Sequence, residues 1–135
     1  MKHIAIQAFH TLYYAFYIII LTLDRNKGFA IGRATFGPIL ITGFLLITFT
    51  LLICSMIFCY EINSLILFGV SFAISFILNE YYFTYLEIGE QIVELKPVVI
   101  NVAFTVIFAA LTFLIVIVFM VWSFNYSRQI FLSCN

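Results

Sequence analysis

The sequence predicts an all-α integral membrane protein, a bundle of four transmembrane helices, and three observations carry that reading. Hydrophobic residues make up 65% of the 135-residue chain and charged residues only 9%, whereas soluble domains are about half apolar and about a quarter charged. The mean hydropathy is +1.20. The apolar residues are gathered into four runs, each reaching the ~20 residues that a helix needs to cross a hydrocarbon core of ~30 Å. Helices are the form such runs take, because a backbone in lipid must satisfy its own N–H and C=O groups within the segment or in a closed barrel.

The first run, Ile4 to Leu23, passes through Tyr13, Tyr14 and Tyr17 to a charged boundary at Asp24 and Arg25. It lacks the short core and small-residue cleavage site of a signal peptide, so it is expected to stay as the first span. The second run, Pro38 to Tyr60, opens on a proline, whose missing N–H costs nothing in a first helical turn. Only Glu61, Ile62 and Asn63 separate it from the third run, Ser64 to Leu86, so these two helices are expected to form a tight antiparallel hairpin. Within the third run Gly69 and Ala73 lie four apart, as do Ser71 and Ser75, a spacing by which membrane helices approach closely. Thr42, Thr48, Thr50 and Ser55 offer the second run a similar packing surface. The fourth run, Pro97 to Phe124, again opens on proline. The runs account for most of residues 1–135, so a single transmembrane domain is expected, with no separate water-soluble one.

The connections set an orientation. With four spans both termini share one side, carrying Lys2 and Arg128, while the first and third loops share the other with Arg25, Lys27, Arg33 and Lys96. The positive-inside rule then puts those loops in the cytoplasm or matrix, and the expected host is a bacterial or mitochondrial inner membrane. A formal net charge of zero leaves no cationic footprint for nucleic acid.

The exit of the third run, "NEYYFTYLEIGEQIVELKP", admits Asn79 and Glu80 and then three more glutamates. Tyr81, Tyr85, Ile88, Ile92 and Leu95 recur at alternating steps of four and three, which makes one helical stripe. Glu80, Thr84, Glu87, Gln91 and Glu94 fall on another face at the same spacing, as in an amphipathic surface helix. The third helix is therefore expected to continue past the membrane as an acidic segment, with Gly89 as a bend and Tyr81, Tyr82 and Tyr85 as an aromatic belt. Acidic faces are poorly suited to an anionic leaflet. The apolar stripe is accordingly expected to be covered by another protein. The competing expectation places Glu80 inside the bilayer, where ionisable groups mark ion or proton pathways, with Asn79 and His10 as its company.

Little other chemistry is visible. His3 and His10 lie seven apart, not at the four-residue spacing of a helical metal pair, and His10 is expected to be a hydrogen-bonded packing residue. Cys54, Cys59 and Cys134 are odd in number and lack metal-ligand spacing, so they are expected to be unpaired. Trp122, Tyr126 and Arg128 read as an interfacial anchor ahead of the tail "SRQIFLSCN". No nucleophile elbow, P-loop or zincin pattern occurs. No catalytic residue, metal or cofactor is expected beyond structural lipids. The leading functional expectation is a non-catalytic accessory subunit of a larger membrane complex, of the energy-transducing kind, with other membrane subunits and lipids as partners. The alternatives are a small channel or proton-conducting element using Glu80, and a membrane immunity or defence protein.

Overall fold

A computed structural model describes residues 2–59, 62–95 and 102–134, and among them every regular element is helical. In chain order these are α1 (Lys2–Asp24), α2 (Lys27–Arg33), α3 (Phe36–Phe58), α4 (Ser64–Glu80), a π-helical segment (Tyr81–Tyr85), α5 (Ile88–Leu95) and α6 (Val102–Cys134). Four stretches are long and apolar enough to cross a membrane: Ala5–Asp24, Lys27–Phe58, Ser64–Tyr85 and Val102–Cys134. The expected all-α bundle of four transmembrane helices is thus the fold observed. Pro38 lies in the first turn of α3, as anticipated, and Pro97 lies outside the described residues. The last helix runs well past the expected end at Phe124, to Cys134.

Helix α3 is the hub, with α1, α4 and α6 all packed on it. Lipid offers helices no hydrophobic reward for associating, so close van der Waals fit and interhelical hydrogen bonds must hold them. Both occur here. Gly43 of α3 receives the ring of Phe72 from α4, and a Cβ at that position would sit 2.6 Å from the ring. Phe44 in turn sets its edge against Phe72 at a centroid distance of 5.4 Å. Helix α6 buries the small or branched side chains of Thr105, Ala109, Val116, Ser123 and Ser127 at helical spacing. Ser127 hydrogen-bonds Ser55 of α3. A cluster of Leu12, Ala15, Ile41, Ala109 and Val116 joins α1, α3 and α6.

Cys59 and Cys134 form a disulfide between the ends of α3 and α6, with their Cα atoms 6.1 Å apart. This corrects the expectation that all three cysteines are unpaired; Cys54 alone is free. The pairing spans 75 positions of sequence. It depends on two helix ends finishing at the same level, which residue spacing does not encode.

Two short helices depart from the sequence reading. The first loop contains α2, capped by the Asn26 side chain, which accepts from the Phe29 N–H at 3.2 Å. It turns back along α1, where the Tyr13 hydroxyl donates to the Ile31 carbonyl at 2.7 Å. The third span does not run straight into the acidic segment. After the π segment, whose Leu86 N–H donates to the Tyr81 carbonyl at 3.1 Å, the chain breaks at Glu87 with φ of 56°. Helix α5 then packs against α1 and α2, burying Ile92 and Val93 with Tyr13, Tyr17 and Phe83. The acidic amphipathic segment exists, but as a separate helix. Gly89 is not its bend: it is the point of contact with α1, where a Cβ would meet the Tyr13 hydroxyl and lie 3.1 Å from the Phe83 carbonyl.

Candidate functional site

Glu80 closes α4 immediately before the π segment, a kind of helix that is rare and often found at functional sites. Its carboxylate is half-buried and holds two hydroxyl groups. Thr35 donates to Oε1 at 2.9 Å across the α3–α4 junction. Thr84, one turn along the same segment, donates to Oε2 at 2.9 Å. Both donors are neutral, and among the described residues no lysine, arginine or histidine lies within ion-pair distance of Glu80. Thr35 is buried and belongs to the short link between α2 and α3; its side chain adds a second, longer contact to the Gly32 carbonyl at 3.2 Å.

This carboxylate forms part of the wall of a groove of about 610 Å³ where α1, α2, α3 and α4 meet. The rings of Phe16, Phe29, Phe36 and Phe76 supply much of the remaining wall. Arg33 and Asp24 also line it, both exposed, and the Arg33 guanidinium lies 4.2 Å above the Phe29 ring. Sequence reasoning singled out Glu80 but missed Thr35 and the aromatic walls. The one available signal was a threonine just ahead of an apolar run, which is too common to pick out unaided.

Asn79, beside Glu80 in sequence, points elsewhere. Only 3% exposed, it lies in the α3–α4 seam. Its amide nitrogen donates to the Ser75 carbonyl at 2.7 Å and to the Thr42 hydroxyl at 2.9 Å. Thr42 and Ser75 are themselves hydrogen-bonded, and Ser75 donates to the Ile39 carbonyl of α3 at 2.7 Å. The amide oxygen of Asn79 is buried without a hydrogen-bond partner. His10 belongs to a third set, with Nε2 2.9 Å from the Tyr82 hydroxyl. The three residues expected to keep company therefore occupy three separate hydrogen-bond sets, and among the described residues no side-chain hydrogen bond joins one set to another.

The proposed partner stripe is likewise divided by the break at Glu87. Tyr81 and Tyr85 are exposed and stacked on each other at 5.1 Å, with Tyr85 74% exposed. Ile88 is half-buried, whereas Ile92 is 3% exposed and covered by the chain itself. The Leu95 side chain lies outside the described residues. A different uncovered surface replaces that stripe. Leu67, Ser71, Ser75 and Asn79 of α4 face inward at four-residue intervals, so Gly69 and Ala73 fall on the opposite, exposed face. Open space surrounds the position of a Cβ at Gly69.

At the other end of the bundle a second cavity, of about 700 Å³, lies near the disulfide and includes Ser55, Asn63, Asn125 and Arg128 in its lining. Among the described residues no three His, Cys, Asp or Glu side chains gather as metal ligands. No protein-family model, curated protein or solved structure matches the chain.

Proposed function

We propose that this chain is a non-catalytic structural subunit of a larger membrane assembly. The observation that carries the reading is the notch of Gly69 and Ala73 on the uncovered face of α4. Lipid chains need no such notch, whereas helices that cross in a membrane use small residues four apart to bring their backbones together. The Ser71–Ser75 pair of the same helix already serves α3, so the second pair is free to receive a helix from another subunit. The exposed Tyr81–Tyr85 stack leaves a second uncovered patch at the far end of the span.

The orientation we propose turns the α2 and α5 end of the bundle toward the cytoplasm or matrix and the Cys59–Cys134 end toward the periplasm or intermembrane space. Two independent features support it. Disulfides persist on the oxidising side of a membrane, and Arg25, Lys27 and Arg33 cluster at the opposite end.

The test is a photo-crosslinking residue at position 73, compared with one at position 111, an exposed site on α6. A discrete protein adduct from position 73 that is absent from position 111, and that Gly69→Leu abolishes without loss of helicity, is the expected result. Adducts to lipid alone from both positions would overturn the reading.

A further inference from the structure

We infer that the groove beside Glu80 is a binding site for a lipophilic organic cation, a monovalent positive charge embedded in apolar or aromatic bulk. This goes beyond the structural role proposed above and does not depend on it. The lining carries two carboxylates, Asp24 and Glu80, against one guanidinium, Arg33. Asp24 and Arg33 are both exposed to screening solvent, so the half-buried Glu80 sets the sign of the inner groove wall. Its two hydrogen bonds come from neutral hydroxyls. A half-buried carboxylate against apolar walls is poorly hydrated and attracts positive charge more strongly than it would in water.

The walls select the rest of the ligand. Phe16, Phe29, Phe36 and Phe76 all line the groove, Phe29 already carries the Arg33 guanidinium over its ring, and aromatic rings attract cations to their faces. A volume of about 610 Å³ lies within the ~300–1,000 Å³ of small-molecule clefts. Leu23 and Phe36 of the lining are largely exposed, so the mouth opens sideways, where an amphiphile dissolved in the membrane arrives. An inorganic cation fits poorly, because apart from Glu80 and Thr35 this inner wall offers few oxygen ligands, and such an ion has no carbon surface to match the rings.

The test is equilibrium binding of tetraphenylphosphonium to the purified full chain in detergent, set against tetraphenylborate, an ion of the same shape and opposite charge. The phosphonium is expected to bind saturably and at least about tenfold more tightly than the borate. Glu80→Gln is expected to erase that preference, since both threonine hydroxyls can still bond an amide. Gly32 also lines the groove and has open space at its Cβ position, so Gly32→Phe should fill the groove with Glu80 intact and weaken the phosphonium about tenfold. Circular dichroism reports whether each variant folds, and if Glu80→Gln does not, Gly32→Phe decides. Equal affinity for the two ions, a preference that survives Glu80→Gln, or phosphonium binding unchanged in Gly32→Phe would each overturn the inference.

Discussion

Asn79→Leu should stabilise the protein, although it deletes a buried hydrogen-bonding side chain. The amide nitrogen makes one bond that crosses between helices, to Thr42 at 2.9 Å, and two within its own helix, to the Ser75 carbonyl at 2.7 Å and the Ser75 hydroxyl at 3.3 Å. Interhelical side-chain bonds in membranes average ~0.6 kcal/mol and reach ~1.7 kcal/mol. Against that loss stands the amide oxygen, buried with no donor, and such an orphan costs ~1–3 kcal/mol. Replacing the amide strands nothing new, because Thr42 still donates to the Pro38 carbonyl at 2.8 Å and Ser75 to the Ile39 carbonyl at 2.7 Å. The balance is a gain of about 1 kcal/mol. Ser75→Ala is the contrasting control: it removes the interhelical bonds of Ser75 to Ile39 and Thr42 without relieving any orphan, and should lose about 1 kcal/mol. Unfolding in mixed micelles by dodecyl sulfate titration, followed by far-ultraviolet circular dichroism, measures both. A loss of more than about 1.7 kcal/mol in Asn79→Leu refutes the reasoning, and means that a buried water satisfies the amide oxygen.

Gly43→Ala should destabilise the bundle by about 1–3 kcal/mol, because the added methyl collides with the Phe72 ring, whereas Gly69→Ala should gain up to about 1 kcal/mol from helix propensity in open space. The same titration distinguishes them, and equal effects would contradict the packing described. Tyr13→Phe removes the hydroxyl that holds the Ile31 carbonyl, so the amides of α2 should exchange with deuterium about five- to tenfold faster while those of α3 are unchanged, a net hydrogen bond being worth ~1 kcal/mol. Reducing the Cys59–Cys134 bond should lower stability by at most about 4.5 kcal/mol, the chain-entropy value for a closed loop spanning 75 residues, with helices that stay inserted bringing the observed loss below that ceiling. An unshifted unfolding midpoint after reduction shows that the bond constrains nothing.

The four spans were legible because each is a long apolar run, and the membrane imposes helix on such runs whatever their finer composition. Pro38 marked the start of α3 for the same local reason. The hidden helices were not legible. In α2, Gly28 and Gly32 lower helix propensity and disguise a segment that tertiary contact with Tyr13 and Tyr17 holds in place. In α5, the four–three rhythm of Ile88, Ile92 and Leu95 was read correctly as helical, but the left-handed residue that turned it was Glu87, a glutamate no rule singles out for positive φ. At the site, Glu80 stood out as a carboxylate in an apolar run, while Thr35 lies 45 positions away and becomes its partner only once α3 and α4 are set side by side.

The Cys59–Cys134 bond also orders events during biogenesis. Cys59 emerges at the end of α3, and the partner sulfur is carried by the last turn of α6. Between them lie α4, the π segment and α5, so the ring cannot close until the final helix has crossed the membrane and delivered Cys134 to the same side as Cys59. A chain stalled with three helices inserted leaves Cys59 without its intramolecular partner. Closure is thus a chemical record of completed insertion, and the oxidised fraction of newly made chains counts those whose last helix has arrived.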